Sequence, residues 1–184
     1  MEMMGCQDTV TKVVTDPRAL DAGFLFRGDY LFAPMKTANV FDAIVVKSPQ
    51  DASSSSPQYP AARRSLYDCI SVIKQYELTK AIVIADELSF LYDCHSLTDL
   101  VVIPADKAAV PFDFTPLYDM PNLRYLECQL AREDRQEPLG TVDYARLPNL
   151  SEVVIDGKGH SNISGLRKLR TLQVSDYRGA SRTL

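Results

Sequence analysis

The sequence predicts an α/β solenoid with a parallel sheet on its concave face and helices or turns on its convex face. Three observations lead there. Six segments repeat the pattern L-x-x-φ-x-φ, where φ is apolar; apolar residues recur six and three positions ahead of the leading residue; and short words recur between segments. A repeat at an interval of about 20 to 50 residues is the signature of stacked units that share one core.

The pattern is clearest at residues 97–102, 123–128, 150–155 and 169–174, and looser at 41–46 and 78–83. All eighteen residues in its three marked columns are apolar, counting Ala81 and Cys128. Side chains alternate along a strand, so positions three and five after the leading residue share a face and enter the core together. Ahead of the strands, Leu91 and Cys94, Leu117 and Met120, Tyr144 and Leu147, and Ile163 and Leu166 keep a spacing of three, which suits a helical turn facing the same core. Leu66-Tyr67-Asp68-Cys69 matches Leu91-Tyr92-Asp93-Cys94, and Leu147-Pro148-Asn149-Leu150 resembles Met120-Pro121-Asn122-Leu123. The Pro-Asn step breaks each turn just before its strand.

These units resemble the leucine-rich repeats, and the chain reads as a short, irregular member of that family. The family stacks strand–turn–helix units of about 20 to 29 residues into a curved solenoid. Here the leading residues Leu78, Leu97, Leu123, Leu150 and Leu169 lie 19, 26, 27 and 19 residues apart. One feature departs from the pattern. The family places Asn or Cys after each strand, where it hydrogen-bonds along the turn; the equivalent positions here hold Asp86, Ala105, Ala131, Lys158 and Tyr177, so that ladder is missing.

Outside the repeats, residues 1–34 are expected to cap the first unit, with a strand at 9–14 and an aromatic-rich stretch at 23–32. Residues 35–184 carry the repeats, interrupted by a flexible Ser/Pro-rich insertion at 48–64. Residues 65–77 read as a helix with Leu66, Cys69, Ile70 and Ile73 on one face. After the last strand a short, largely polar stretch, 175–184, follows, and no capping repeat is visible.

Composition is that of an ordinary globular domain of 184 residues, 46% hydrophobic and 24% charged. Net charge is −4, and the densest basic cluster, Arg167, Lys168 and Arg170, reads as a solvated face. Neither a nucleic acid nor a membrane is therefore expected as partner. No apolar run reaches the roughly 18 to 20 residues of a membrane span, and the first residues lack a signal-peptide core. The four cysteines form no C-x-x-C pair, which points to a reduced, cytoplasmic setting.

His95 adjoins Cys94, as a nucleophile and base might, but Cys94 occupies a core column and reads as a small buried hydrophobe. Gly157-Lys158-Gly159-His160 has the glycines of a tight turn without the spacing of a phosphate loop. Glu133 and Asp134 fall in a polar insertion. No catalytic residue, metal ligand or cofactor is expected; the discriminating sign of an enzyme would be a pocket joining His95 or His160 to a carboxylate.

The reading that remains is a non-enzymatic module that binds another protein through the concave sheet face. Positions two, four and six after the leading residue should line that face. They yield an apolar patch of Ile82, Ile84, Val101 and Ile103, flanked by Lys80 and Asp99, beside an acidic sector of Tyr125, Glu127, Glu152 and Asp156. Such a face suits a basic protein surface, as in a small cytoplasmic inhibitor or immunity-type protein. Two alternatives stay open. The patch is ordinary core if the N-terminal segment or the 48–64 loop covers it, and the chain is a self-associating solenoid, pairing through its C-terminal edge, or a piece of a longer repeat protein.

Overall fold

The computed structural model describes residues 25–36, 40–47, 64–131 and 136–174. The expected strand at 9–14, all but the last residue of the 48–64 insertion, the Glu133–Asp134 pair and the tail after Val174 lie outside the described residues.

Six parallel strands form the stack: β3 (Ala43–Lys47), β4 (Lys80–Ala85), β5 (Asp99–Pro104), β6 (Tyr125–Cys128), β8 (Glu152–Ile155) and β10 (Thr171–Val174). Each starts two residues after its leading residue. Their hydrogen-bond register reproduces the sequence columns: Ile44 pairs with Ala81, Ala81 with Leu100, Leu100 with Leu126, Leu126 with Val153 and Val153 with Leu172. An antiparallel hairpin, β1 (Leu25–Arg27) and β2 (Tyr30–Ala33), joins β3 and completes an eight-stranded sheet in the order β1-β2-β3-β4-β5-β6-β8-β10. A separate small pair is made by β7 (Val142–Asp143) and β9 (His160–Ser161). The chain is thus a leucine-rich-repeat-like solenoid.

The crossovers are compact for a reason visible in the sequence. One is an α-helix, α1 (Leu66–Gln75), begun by a capping box in which Ser65 and Asp68 each accept the other's backbone N–H. It buries Cys69, Ile70 and Ile73. The others are 3-10 turns at Ser89–Asp93, Thr115–Asp119, Tyr144–Arg146 and Ile163–Gly165. A 3-10 helix has three residues per turn, so residues three apart eclipse. The apolar spacing of three is that period, and the backbone follows it: Cys94 N bonds Leu91 O and Leu97 N bonds Cys94 O, with the same steps at Met120, Leu123, Leu147, Leu150, Leu166 and Leu169.

The main core lies between the sheet and these turns. Ile44, Val83, Leu100, Val102, Leu126, Cys128 and Val153 face Ile73, Leu91, Cys94, Leu117, Tyr144 and Leu147, with Leu97, Leu123 and Leu150 between them. Each fully buried leucine contributes roughly 1.5–3 kcal/mol of transfer free energy.

A side-chain ladder does exist, although not where the family pattern puts it. Asn122 Nδ2 donates to His95 O at 3.1 Å, and Asn149 Nδ2 donates to Pro121 O at 2.8 Å. Ser96 Oγ donates to Leu78 O at 2.8 Å in the equivalent place. These residues precede the strands, one position ahead of each leading leucine. Beside them the backbones of successive repeats are stitched by paired donors: Thr98 and Asp99 to Thr79 O, Arg124 and Tyr125 to Thr98 O, Ser151 and Glu152 to Arg124 O, and Arg170 and Thr171 to Ser151 O.

Candidate functional site

The concave face divides into a sealed half and an open half. In the sealed half Ile82, Ile84 and Val101 are 2–4% exposed, packed with Phe26, Leu31, Ala33, Ala43, Val45 and the Tyr125 ring into a second hydrophobic cluster. Ile103 and Met35 pack against it. The apolar patch expected from the sequence is therefore covered. Lys80, expected beside it, is ion-paired with Asp42. Sheets buried on both faces read as continuous apolar runs, as β4 and β5 do.

The segment after β2 crosses the sheet, and Lys36 marks where the open half begins. Its Nζ lies 2.5 Å from Asp99 Oδ1, 3.2 Å from Glu152 Oε2 and 4.4 Å from the centre of the Tyr125 ring. Three strands supply these groups, β5, β6 and β8, each through its first residue. Tyr125 is buried, and its hydroxyl donates to Glu127 Oε2 at 2.9 Å. Gln129 Nε2 donates to the other Glu127 oxygen at 3.3 Å, and Thr98 Oγ1 donates to Asp99 Oδ2 at 2.7 Å.

Electrostatics follow from this geometry. Partial burial opposes the charge on Lys36, but Asp99 and Glu152 more than offset it, so its pKa lies above the ordinary lysine value. Burial, joined by the charges of Glu127, Glu152 and Asp99, pushes the Tyr125 phenol up, so it remains a neutral donor. Two carboxylates, Asp99 and Glu152, thus hold the Lys36 ammonium, and a third, Glu127, is held by Tyr125 and Gln129. Beyond them Val154 is half-buried, and Thr171 and Gln173 of β10 are exposed.

Asp156 does not join this sector. It follows the last residue of β8, where strand alternation ends, and is 5% exposed. Its Oδ2 accepts Ala131 N at 2.9 Å and its Oδ1 pairs with His160 Nε2 at 3.1 Å. The other ring nitrogen, Nδ1, lies 3.0 Å from the Tyr144 hydroxyl. A carboxylate can only accept, so Nε2 carries a proton towards Asp156, while Nδ1 pairs with the Tyr144 hydroxyl. Gly159 makes the approach feasible: its φ is +90°, and a Cβ there would stand 2.5 Å from Gly140 O. His160 and Asp156 side chains are 1% and 2% exposed, and both imidazole nitrogens are engaged. The network ties β9 and the residue after β8 to the convex turn at Tyr144. Sequence reasoning noticed the glycines but not that they deliver His160 to a carboxylate four residues earlier.

Cys94 lies in the main core. Its thiol is fully buried and bonds Phe90 O at 3.6 Å. Burial, with help from Asp93, pushes its pKa up to about 11, which disfavours the nucleophilic thiolate. His95 is exposed on the adjoining turn. Among the described residues no three His, Cys, Asp or Glu side chains converge as metal ligands, and no helix is long and apolar enough to cross a membrane.

No protein-family model matches the chain, and no curated protein matches it in sequence. Among solved structures, an internalin (inlF) from Listeria monocytogenes is 17% identical with a TM-score of 0.38, over 57% of this chain and 31% of that one. Internalin C2 from the same organism is 20% identical with a TM-score of 0.28, over 58% of each chain. Both matches span less than two thirds of the internalin. What this chain binds must be read from its own side chains.

Proposed function

We propose that the chain is a non-catalytic module that seats a basic protein surface on the open half of its concave face, around the partly exposed Glu127 and Glu152, where the buried Asp99 and Tyr125 border it. One observation carries this reading: the chain's own Lys36 already occupies the site, held by two carboxylates and an aromatic face. The same groups suit a lysine or arginine from a partner, and Glu127 supplies a further negative charge that Lys36 does not neutralise. Carboxylates at the rim of a shallow face speed encounter with a cationic partner and select against acidic ones. In its most specific form the reading is a cytoplasmic inhibitor or immunity-type protein that blocks a basic enzyme.

The test is affinity capture from the native extract followed by cross-linking and peptide mapping. Wild type should cross-link to a partner through β6, β8 and β10. Glu127→Lys/Glu152→Lys, with an unchanged circular dichroism spectrum, should lose it. Equal capture by both proteins would count against the concave face.

A second reading is favoured by β10. All four of its residues are exposed, Leu172 at 46% and Val174 at 65%, and among the described residues its outer edge is unpaired. An exposed apolar edge is a template for another strand, so self-association through β10 is the alternative. Sedimentation of wild type and Leu172→Asp separates the two: a concentration-dependent mass abolished by Leu172→Asp supports self-association, and a strict monomer at high concentration removes it.

A further inference from the structure

A groove of about 750 Å³ runs along the end of the sheet where the convex turns feed into the strands. Repeat stacking builds it. Ser151 N donates to Arg124 O at 2.8 Å and Arg170 N donates to Ser151 O at 2.7 Å, so these three residues stand one above another, each just ahead of its strand β6, β8 or β10. Strands lie about 4.8 Å apart, which puts the two arginine backbones roughly 10 Å apart with Ser151 between. A second column, one residue ahead of each leading leucine, ends in Lys168, whose Nζ donates to Asn149 Oδ1 at 2.5 Å. Arg167 adjoins it on the same lining.

Four cationic side chains therefore line one groove, and no carboxylate lines it. Among the described residues none of the four has a carboxylate within ion-pair distance, in a chain whose net charge is −4. Gathered like charges repel one another, and an anion seated among them relieves that cost. Guanidinium forks match phosphoryl oxygens two at a time, and Lys168 adds a point charge.

We propose that this groove binds a small polyanion carrying two or more phosphoryl groups. Its volume lies in the range of small-molecule sites. The charges are confined to three adjacent repeats, which suits a compact ligand. No aromatic side chain lines the groove, whereas single-stranded nucleic acids are held by stacking their bases on aromatic rings. Apolar lining is limited to Pro121 and Leu169, leaving a peptide little to bury. The groove is separate from the acidic concave face and does not depend on the partner reading.

Calorimetric titration of the full chain with inorganic tripolyphosphate, pyrophosphate and orthophosphate tests this. Tripolyphosphate should bind one to one and at least tenfold tighter than orthophosphate. Arg124→Ala and Arg170→Ala, both exposed positions, should each weaken it by roughly tenfold, the effect of one charge-assisted contact. Lys107→Ala, exposed and outside the groove, should leave it within about twofold. Unchanged circular dichroism confirms folding. Absence of saturable heat would overturn the proposal, as would an equal loss from Lys107→Ala. It would also fall if an acidic peptide or an oligothymidylate displaced tripolyphosphate at lower concentration than pyrophosphate does.

Discussion

Lys36 Nζ stands 4.4 Å above the centre of the Tyr125 ring, so a cation from the segment after β2 caps an aromatic side chain of β6. The contact couples the N-terminal hairpin to the C-terminal repeats across the concave face. Lys36 is about a third exposed, and solvent screens its ion pairs with Asp99 and Glu152. Lys36→Ala should therefore lower stability by only about 1 kcal/mol, read from urea unfolding. It should also tighten binding of a basic partner, because the site's own occupant is gone. Weaker partner binding by Lys36→Ala would indicate that Lys36 contacts the partner instead of competing with it.

The Tyr144–His160–Asp156 network should behave as one unit. Tyr144→Phe removes the partner of Nδ1 and leaves a buried nitrogen without a hydrogen bond, at a cost of about 1–3 kcal/mol. Asp156→Ala should cost more, since it strips partners from both His160 and Ala131 N. The double variant should cost less than the sum of the two, because each breaks the same chain of bonds. Strict additivity in urea unfolding would show that the three residues act separately.

Much of this fold was legible in the sequence, for physical reasons that also mark where legibility ends. The columns at Leu100, Leu126 and Val153 were readable because a solenoid repeats one local environment, so alternation and spacing carry the register directly. The spacing of three at Leu91, Cys94 and Leu97 was readable too, but one turn of helix does not distinguish 3-10 from α geometry. Covering of Ile82, Ile84 and Val101 was legible only as an alternative, signalled by the continuous apolar runs, because choosing it depends on contacts with residues far away in the chain. Lys36 carried no local signal at all; only the path of the connection brings it to Asp99 and Glu152. Asp156 was misplaced because strand alternation was extended one residue past the end of β8. The asparagine ladder was sought after the strands, whereas Asn122 and Asn149 do that work before them.

That relocated ladder gives a third expectation. Asn122→Ala and Asn149→Ala should each cost about 1 kcal/mol by leaving the His95 and Pro121 carbonyls without their side-chain donor. The two losses should add within about 0.5 kcal/mol, since they serve different repeats. Thermal or urea unfolding of the single and double variants checks both points.

Three thiols, Cys69, Cys94 and Cys128, are buried. Burial, with Asp68 adding to it, pushes Cys69 up to about 12; burial and Asp93 push Cys94 up to about 11; burial lifts Cys128 as well. The unfolded thiols ionise near 9.0. Below that pH both states hold their protons and stability is complete. Above it the unfolded chain releases protons that the native state keeps, so stability falls as pH rises from about 9 through 11 to 12. The urea midpoint should decline over that interval, and Cys69→Ala should make the decline shallower. At pH 8, mass mapping after alkylation should show these three cysteines unmodified in the native protein and modified in denaturant.

The most direct test of the concave-face reading is the cross-linked capture experiment run on three proteins together: wild type, Glu127→Lys/Glu152→Lys, and Lys36→Ala. The account predicts a partner that cross-links through β6, β8 and β10 of wild type, is lost from the double variant, and is retained more tightly by Lys36→Ala. A partner held equally by wild type and the double variant, or cross-linked only through the convex turns, would contradict it.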